Sequence, residues 1–474
     1  MTSRSQTVPL RFVVVGASVS GLCSAYLLRK NGHEVVVVEK AAHGVENGCN
    51  GSLRIPPNVT RSLATLPGVM DLLKEKGSWC SGVSFVSGET LELLGQMVFL
   101  EEVMSDLGSD FYFISYADLV SHLSKICRDV GVQIKYGFEV KEVLVDFNHP
   151  PTVVSEIGTR LSADIVVGAD GKGSVVRRVV ASEESDSEDE FEELRSSTER
   201  EQRYILAYAL ISLRSDIHEV TTSCRVSLDV PTSDLENDPE LAYLTKDDRY
   251  VLWAGSGHTL SGACYGPDLY GVALVSVNAS PQDLDTDWRE SVPVTTLEKK
   301  LTELQKLVRK ASSCRWSLQH TDYITRFTDS THSVMVIGDA AHYLPPCATH
   351  NASCALEDAF TLGRLFSRIT SRDQVPLLFS GYDQIRQKRT RQIEEQEYRG
   401  TAVVSLPPGP HRDGRDMALN MTLHLEGADD ETLAEAWGGY LEAFSYDPVD
   451  AVDEWWLTWA KPMQFVEVPV NGLH

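Results

Sequence analysis

Short apolar runs separated by glycine turns dominate the first 40 residues of the chain. Residues 11–15 place four apolar side chains after Arg11 and run into Gly16-Ala17-Ser18-Val19-Ser20-Gly21. Residues 22–30 repeat apolar positions at helical spacing and stop near Gly32. Residues 35–38 are a β-branched run that ends on Glu39. Strand, glycine turn, helix and strand in about 30 residues predict a βαβ unit.

Further along, the pattern predicts a strand over 161–168, leading into Ala169-Asp170-Gly171, and another over 333–337, leading into Gly338-Asp339-Ala340-Ala341-His342. Between them, alternating and β-rich runs at 204–213, 222–228, 250–253 and 271–277 predict an antiparallel sheet, one able to separate a bound cofactor from bulk water. Residues 352–369 read as a helix with Leu356, Phe360, Leu365 and Phe366 near one face, and 378–399 as a long charged helix. The last 70 or so residues are helical by composition, with an aromatic cluster at Trp455, Trp456 and Trp459. No internal repeat is present.

Composition narrows the function classes. A chain of 474 residues suggests two or three domains, and 42% hydrophobic residues suffice for a sizeable core. Its 43 basic and 68 acidic residues leave a net charge of −25, which disfavours nucleic acid and anionic membranes as partners. Residues 183–193, EESDSEDEFEE, read as a solvated acidic loop. No apolar run reaches the length of a membrane span, and the polar start of the chain has no signal-peptide core. The nine cysteines include no CxxC and no spacing suited to zinc or a disulfide scaffold. Reduced thiols, a cytoplasmic location, no metal and no obligate protein partner are the expectation.

The first glycine turn has the chemistry of a dinucleotide site. Gly16 permits the tight turn, Gly21 lets helix and strand pack closely, and the helix N-terminus offers amides and a favourable dipole to a pyrophosphate. Glu39 can accept hydrogen bonds from a ribose. Ser18 occupies the middle position of the fingerprint, where glycine allows the nearest backbone approach.

Two further motifs join it: Val167-Gly168-Ala169-Asp170-Gly171-Lys172-Gly173-Ser174-Val175-Val176-Arg177, and the 338–342 turn followed by Pro345-Pro346 and Ala355-Leu356-Glu357-Asp358-Ala359. In this order, and with Asn50-Gly51-Ser52-Leu53-Arg54-Ile55-Pro56-Pro57-Asn58, the chain resembles the group A FAD-dependent aromatic hydroxylases from about residue 10 to about 400. That family includes salicylate hydroxylase, para-hydroxybenzoate hydroxylase and fungal secondary-metabolite monooxygenases. The resemblance implies that Asp339 bonds the ribityl chain or pyrophosphate. It places the Ala352 backbone at a helix N-terminus near the flavin ring. Asp170 would support the pyrophosphate region, and Gly51 and Arg54 would border the flavin. It also implies NAD(P)H as a transient co-substrate and O₂ as the source of the transferred oxygen. Read without the resemblance, Asp170 is a turn cap, His342 a satisfied buried histidine and Arg54 a surface cation.

Departures from the family pattern cluster near the flavin. Tyr116 stands where relatives carry an FAD-reaching arginine, and lacks its planar fork of donors. Thr349-His350-Asn351 replaces Gly-Gln-Gly, so side chains either crowd the ring or demand another loop path; asparagine tolerates left-handed backbone best. Tyr343 replaces a proline. An arginine and a tyrosine expected on the substrate sheet fall near Tyr208 and Gly262.

The expected architecture is α/β: a Rossmann-like FAD-binding domain (10–75, 111–180 and 321–400) interleaved with an antiparallel substrate-binding sheet (76–110 and 201–320). An acidic loop at 181–200 and a helical C-terminal region at 401–474 complete it. Three functions remain open, one of them a non-catalytic binding protein that uses the pocket or the acidic loop as an interaction surface. In another, FAD is kept, and a phenolic, polyketide- or terpenoid-like small molecule is hydroxylated or epoxidised. In the third, FAD binding is weakened or lost and the pocket performs a redox-neutral cyclisation or isomerisation. His350, Tyr208 and Tyr343 are the candidate catalytic residues, with Tyr116 and Asn351 among the cofactor-contacting ones.

Overall fold

The structure, a computed structural model, describes residues 8–44, 51–181, 222–277, 313–320, 324–342, 344, 348–424 and 430–460. The chain begins with strand β1 (Arg11–Val15), helix α1 (Val19–Lys30) and strand β2 (Glu34–Glu39), the predicted βαβ unit. Next come β3 (Ser52–Ile55), α2 (Pro57–Leu63), α3 (Val69–Lys76), β4 (Ser78–Cys80), β5 (Gly82–Ser87) and β6 (Leu93–Val98). They are followed by α4 (Glu101–Leu107), β7 (Phe111–Ser115), α5 (Tyr116–Asp129) and β8 (Gln133–Tyr136). A meander of β9 (Val140–Asp146), β10 (His149–Ser155) and β11 (Arg160–Ser162) then leads to β12 (Ile165–Gly168) and α6 (Arg177–Ala181). The central segment holds β13 (Thr222–Pro231), α7 (Thr232–Glu236), β14 (Tyr250–Ala254), β15 (His258–Cys264), β16 (Leu269–Val277) and β17 (Ser313–His320). Strand β18 (Val334–Val336) returns to the first domain, ahead of α8 (Asn351–Phe366), α9 (Val375–Val404), α10 (Pro410–Met421), α11 (Asp430–Ser445) and α12 (Pro448–Trp455).

Five parallel strands stack in the order β18-β12-β1-β2-β8. The apolar residues of β1, β12 and β18 are buried on both faces, as near-continuous valine runs require, whereas the edge strand β8 is partly exposed. The chain moves outward from β1 through β2 to one side and returns through β12 and β18 on the other. That reversal opens a crevice beyond the carboxyl ends of β1 and β12, the place where such sheets take ligands.

A seven-stranded sheet, β17-β13-β16-β15-β14-β5-β6, forms the second body. The pattern predicts it as antiparallel; one pair, β14 with β5, is parallel because β5 arrives from the early part of the chain. Strands β15 and β17 were not visible in the pattern. Residues 161–168, predicted as one strand, divide between two sheets: Arg160–Ser162 pairs with β10, and Ile165–Gly168 pairs with β1. The switch is fixed at Asp164, whose carboxylate accepts from the Arg11 amide and guanidinium at 2.9 Å each and from Arg372 at 3.2 Å. Burial opposes ionisation of Asp164, but these donors outweigh it and hold the carboxyl at about 2.

The long charged helix runs past both predicted ends, and the C-terminal part is helical as composition implies. Trp455 packs its ring over Gly381 and donates to Gln384 at 2.8 Å, tying α12 to α9, whereas Trp459 is exposed. The expected acidic loop and the 204–213 strand lie outside the described residues. Cys23, Cys80, Cys127, Cys264 and Cys354 are free thiols, no metal-binding group of His, Cys, Asp or Glu occurs among the described residues, and no described helix is long and apolar enough to cross a membrane.

Candidate active site

Four strand ends meet at the crevice. The Gly16 amide donates to Val38 O (2.8 Å), Ala169 N to Val15 O (2.7 Å) and Ile337 N to Gly168 O (2.9 Å), so the three motifs leave adjacent strands side by side. Gly16 has φ +102°, and a Cβ there would lie 2.4 Å from Ala169 O. Only glycine satisfies both constraints. A Cβ on Gly21 would fall 2.2 Å from Gly16 O, which bears out its role in close helix–strand packing. Ser18 caps α1 by accepting from Gly21 N at 3.2 Å, and the helix has no acidic residue in its first turn. Glu39 sits beside that N-terminus, its two carboxylate oxygens accepting from Ala17 N (2.8 Å) and Ala41 N (2.9 Å).

The third strand end closes on the first. Gly338, at φ +60°, brings its backbone against Ser20 of α1, where a Cβ would meet the serine Oγ at 2.9 Å. Asp339 follows and is exposed at the crevice. Asp170 does something narrower than the family resemblance implies. Its carboxylate accepts from Ser174 Oγ (2.5 Å), Val175 N (2.7 Å) and Val176 N (3.4 Å), so it caps its own turn. Burial raises its carboxyl against those donors.

Behind the Gly338 turn lies a group of charges that sequence reasoning missed. Asp358 accepts from Gly338 N (2.7 Å), His342 Nε2 (2.6 Å) and Arg386 Nε (2.6 Å). Glu357 accepts from Asn58 Nδ2 (2.8 Å), Arg386 Nη1 (3.0 Å) and Arg389 Nη2 (3.1 Å). All four charged residues are buried. Burial opposes ionisation of both acids. Arg389 and Arg386 overcome it at Glu357, and His342 and Arg386 at Asp358, leaving both carboxyls below the usual range. His342 is thus a satisfied buried histidine. The adjacent acids are visible in the sequence, but nothing there says that Arg386 and Arg389, one helical turn apart, would meet them.

Arg54, expected at the flavin border, reaches the substrate sheet. Its Nη2 donates to Tyr250 Oη (2.6 Å) and Ser261 Oγ (3.2 Å), and the guanidinium lies 4.6 Å from the centre of the Tyr250 ring. Leu252 pairs with Ser261 and Ser261 with Ala273, so Tyr250, two residues from Leu252, shares a sheet face with Ser261. That face looks toward β3. Gly51 accepts from Tyr116 N at 2.9 Å, placing Tyr116 at the start of α5 beside the β3 segment; a Cβ on Gly51 would meet nothing. Gly262 belongs to the opposite face, where a Cβ would strike the Tyr270 hydroxyl at 2.6 Å.

The Thr349-His350-Asn351 loop takes a different path from a glycine loop. None of the three residues has positive φ. His350 turns inward at φ −99°, 2% exposed, with its backbone N and Nδ1 at 3.0 and 2.7 Å from one oxygen of Glu397. Its Nε2 is buried without a hydrogen-bond partner among the described residues, an arrangement that costs about 1–3 kcal/mol. Asn351 opens α8, and Ala352 is buried in its first turn, consistent with a helix N-terminus at the site. Tyr208 and Tyr343, the other two catalytic candidates, lie outside the described residues.

This crevice suits a dinucleotide: a glycine cradle with no room for a Cβ, an N-terminal helix turn free of acid, a carboxylate at the ribose position and an exposed aspartate on the facing turn. Comparison with known proteins agrees. Residues 10–200 match the FAD binding domain family. The chain is 26% identical over 438 residues to the FAD-dependent monooxygenase OpS4 of Beauveria bassiana, covering 90% of this chain and 92% of that one. It is 27% identical over 434 residues to 3-amino-4-hydroxybenzoate 2-monooxygenase of Streptomyces cremeus, covering 87% and 92%. Its fold matches CtdE in complex with FAD and substrate, with a TM-score of 0.70 at 17% identity over 96% of this chain and 100% of that one. It also matches a salicylate hydroxylase substrate complex, with a TM-score of 0.68 at 17% identity over 95% and 98%. The chain is a distant homologue of the FAD-dependent aromatic hydroxylases and monooxygenases. It is a flavoprotein monooxygenase, an oxidoreductase, and FAD is its cofactor.

Proposed function

We propose that this monooxygenase hydroxylates or epoxidises a phenolic, polyketide- or terpenoid-like secondary metabolite, with NAD(P)H as a transient co-substrate and O₂ as oxygen donor. The observation that carries the proposal is the meeting of Gly16, Glu39, Ala169 and Asp339 at one crevice, with the Arg54–Tyr250–Ser261 group on the sheet face beyond β3. Glu39 would hold the ribose, the α1 amides next to Ser18 the pyrophosphate, and Asp339 the ribityl or pyrophosphate region. The first turn of α8, at Asn351 and Ala352, would meet the ring, and Gly51 and Tyr116 would border it.

FAD supplies reduction by the nicotinamide and activation of O₂; the protein orients the substrate and excludes water. Arg54, Tyr250 and Ser261 supply donors to an electron-rich, oxygen-bearing substrate. His350, Tyr208 and Tyr343 stand as acid–base candidates at the substrate. Segments 10–75, 111–180 and 321–400 serve the flavin, and 76–110 with 201–320 the substrate.

Anaerobic addition of NADPH or NADH should bleach the flavin. Isotopically labelled O₂ should then leave one labelled atom in a phenolic product. Conversion of substrate without NAD(P)H and without label would replace this proposal with redox-neutral catalysis.

A further inference from the structure

His350 uses only half of its ring's hydrogen-bonding capacity among the described residues. A single oxygen of Glu397, on α9, takes both its backbone N–H and its ring Nδ1. A hydrogen on Nδ1 donated to that carboxylate leaves Nε2 as a bare lone pair. Nε2 is buried with no hydrogen-bond partner among the described residues, which leaves an acceptor available on the ring.

The surroundings connect this nitrogen with the substrate sheet. The His350 ring lies 5.8 Å from Phe444 of α11, Phe444 lies 6.1 Å from Phe111, Phe111 lies 5.4 Å from Phe113, and Phe113 lies 5.8 Å from Tyr250. Tyr250 is the residue that Arg54 grips. These rings pack in one buried apolar cluster that extends from the histidine to the residue Arg54 contacts. Among the described residues, Glu397 on α9 and Glu357 on α8 act electrostatically on the histidine, and Tyr440 on α11 lies near Glu397. Glu397 is the carboxylate in hydrogen-bond contact with the ring.

We infer that His350 is the base that removes the hydroxyl proton of a phenolic substrate, with Glu397 as its positioning residue. The inference rests on the monooxygenase proposal and narrows its substrate to phenols. The substrate O–H bond breaks, the proton forms an N–H bond at Nε2, and the electron pair stays on oxygen as a phenolate. The imidazolium is balanced by Glu397, and the phenolate enriches its ortho and para carbons for oxygen transfer. The same proton returns to the product oxygen.

The test uses 4-nitrophenol, whose visible colour reports its ionisation when bound, with the full-length protein and its FAD content measured on the same samples. Wild type should bind the probe as the yellow phenolate at a pH below the probe's own pKa. His350→Gln should bind it in the neutral form and lose about a hundredfold or more in phenol turnover, with KM for NAD(P)H unchanged. Glu397→Gln, which keeps an acceptor for Nδ1 but not the charge, should move ionisation of the bound probe to higher pH and lower turnover about tenfold. Phenolate binding that persists in His350→Gln, or a wild type that binds the probe only as the neutral phenol or not at all, would overturn the inference. A wild type that ionises the probe but holds no FAD would instead overturn the monooxygenase proposal and leave the base assigned.

Discussion

The crevice at the parallel sheet and the interior behind α8 are made of different materials. The crevice is backbone: glycines that admit no Cβ, amides at a helix start, and one carboxylate at a strand end. The interior is side chain: Glu357, Asp358, Arg386 and Arg389 paired with one another while fully or almost fully buried, with His350 held by Glu397 nearby. A backbone site tolerates few residue types and keeps its parts close in sequence. A side-chain network assembles from distant positions and admits many solutions. The second, which includes Glu357 and Asp358 of the 355–359 motif, anchors the Gly338 turn from behind the crevice.

The comparison can be broken at either end. Replacing Asp339 with alanine removes the exposed carboxylate of the crevice. It should abolish FAD retention while the circular dichroism of the fold is kept; unchanged flavin content would remove Asp339 from the site. Arg386→Ala strands Asp358 and part of Glu357 in the interior. A loss of about 3–5 kcal/mol is expected in denaturant unfolding. A loss below about 1 kcal/mol would mean that the network is not closed to water.

Smaller effects sharpen the contrast. Arg54→Lys keeps the charge but not the fork of donors, and should weaken phenol binding by about 1.5–3 kcal/mol with FAD content unchanged. The two buried acids also set an acid limit. Both carboxyls are depressed in the fold, so their stabilisation is complete above the ordinary carboxylate range, about pH 4, and is lost as pH falls through their lowered values. Thermal midpoints should drop on acidification below that range, and Asp358→Asn should flatten the drop. On the surface, Arg412→Ala breaks a pair with Glu89 at 2.8 Å and should cost under about 1 kcal/mol.

The same division explains what was legible in the sequence. Gly16, Gly21 and Glu39 were readable because each is demanded by local geometry within one βαβ unit. Strand β15 was not: its run of small residues, with Ser261, Gly262 and Ala263, carries little alternating hydrophobicity and pairs through neighbours. The division of 161–168 between two sheets was hidden because Asp164 is held by Arg11 and Arg372, far away in the chain. Arg54 was placed at the flavin by its neighbours in sequence, whereas its partners Tyr250 and Ser261 lie about 200 residues further on. Glu397 gave no signal in a helix crowded with charge, although His350 itself stood out against the loop pattern of the family.

The most direct measurement of the central claim is the stoichiometry of FAD binding, by titrating flavin into purified wild type and into Glu39→Ala and reading the flavin absorbance of the protein fraction. One FAD per chain in wild type, with retention sharply reduced in the variant, is the predicted result. A wild type that takes up no FAD, or a variant that binds it as well as wild type, would contradict a crevice built around Gly16, Glu39 and Asp339.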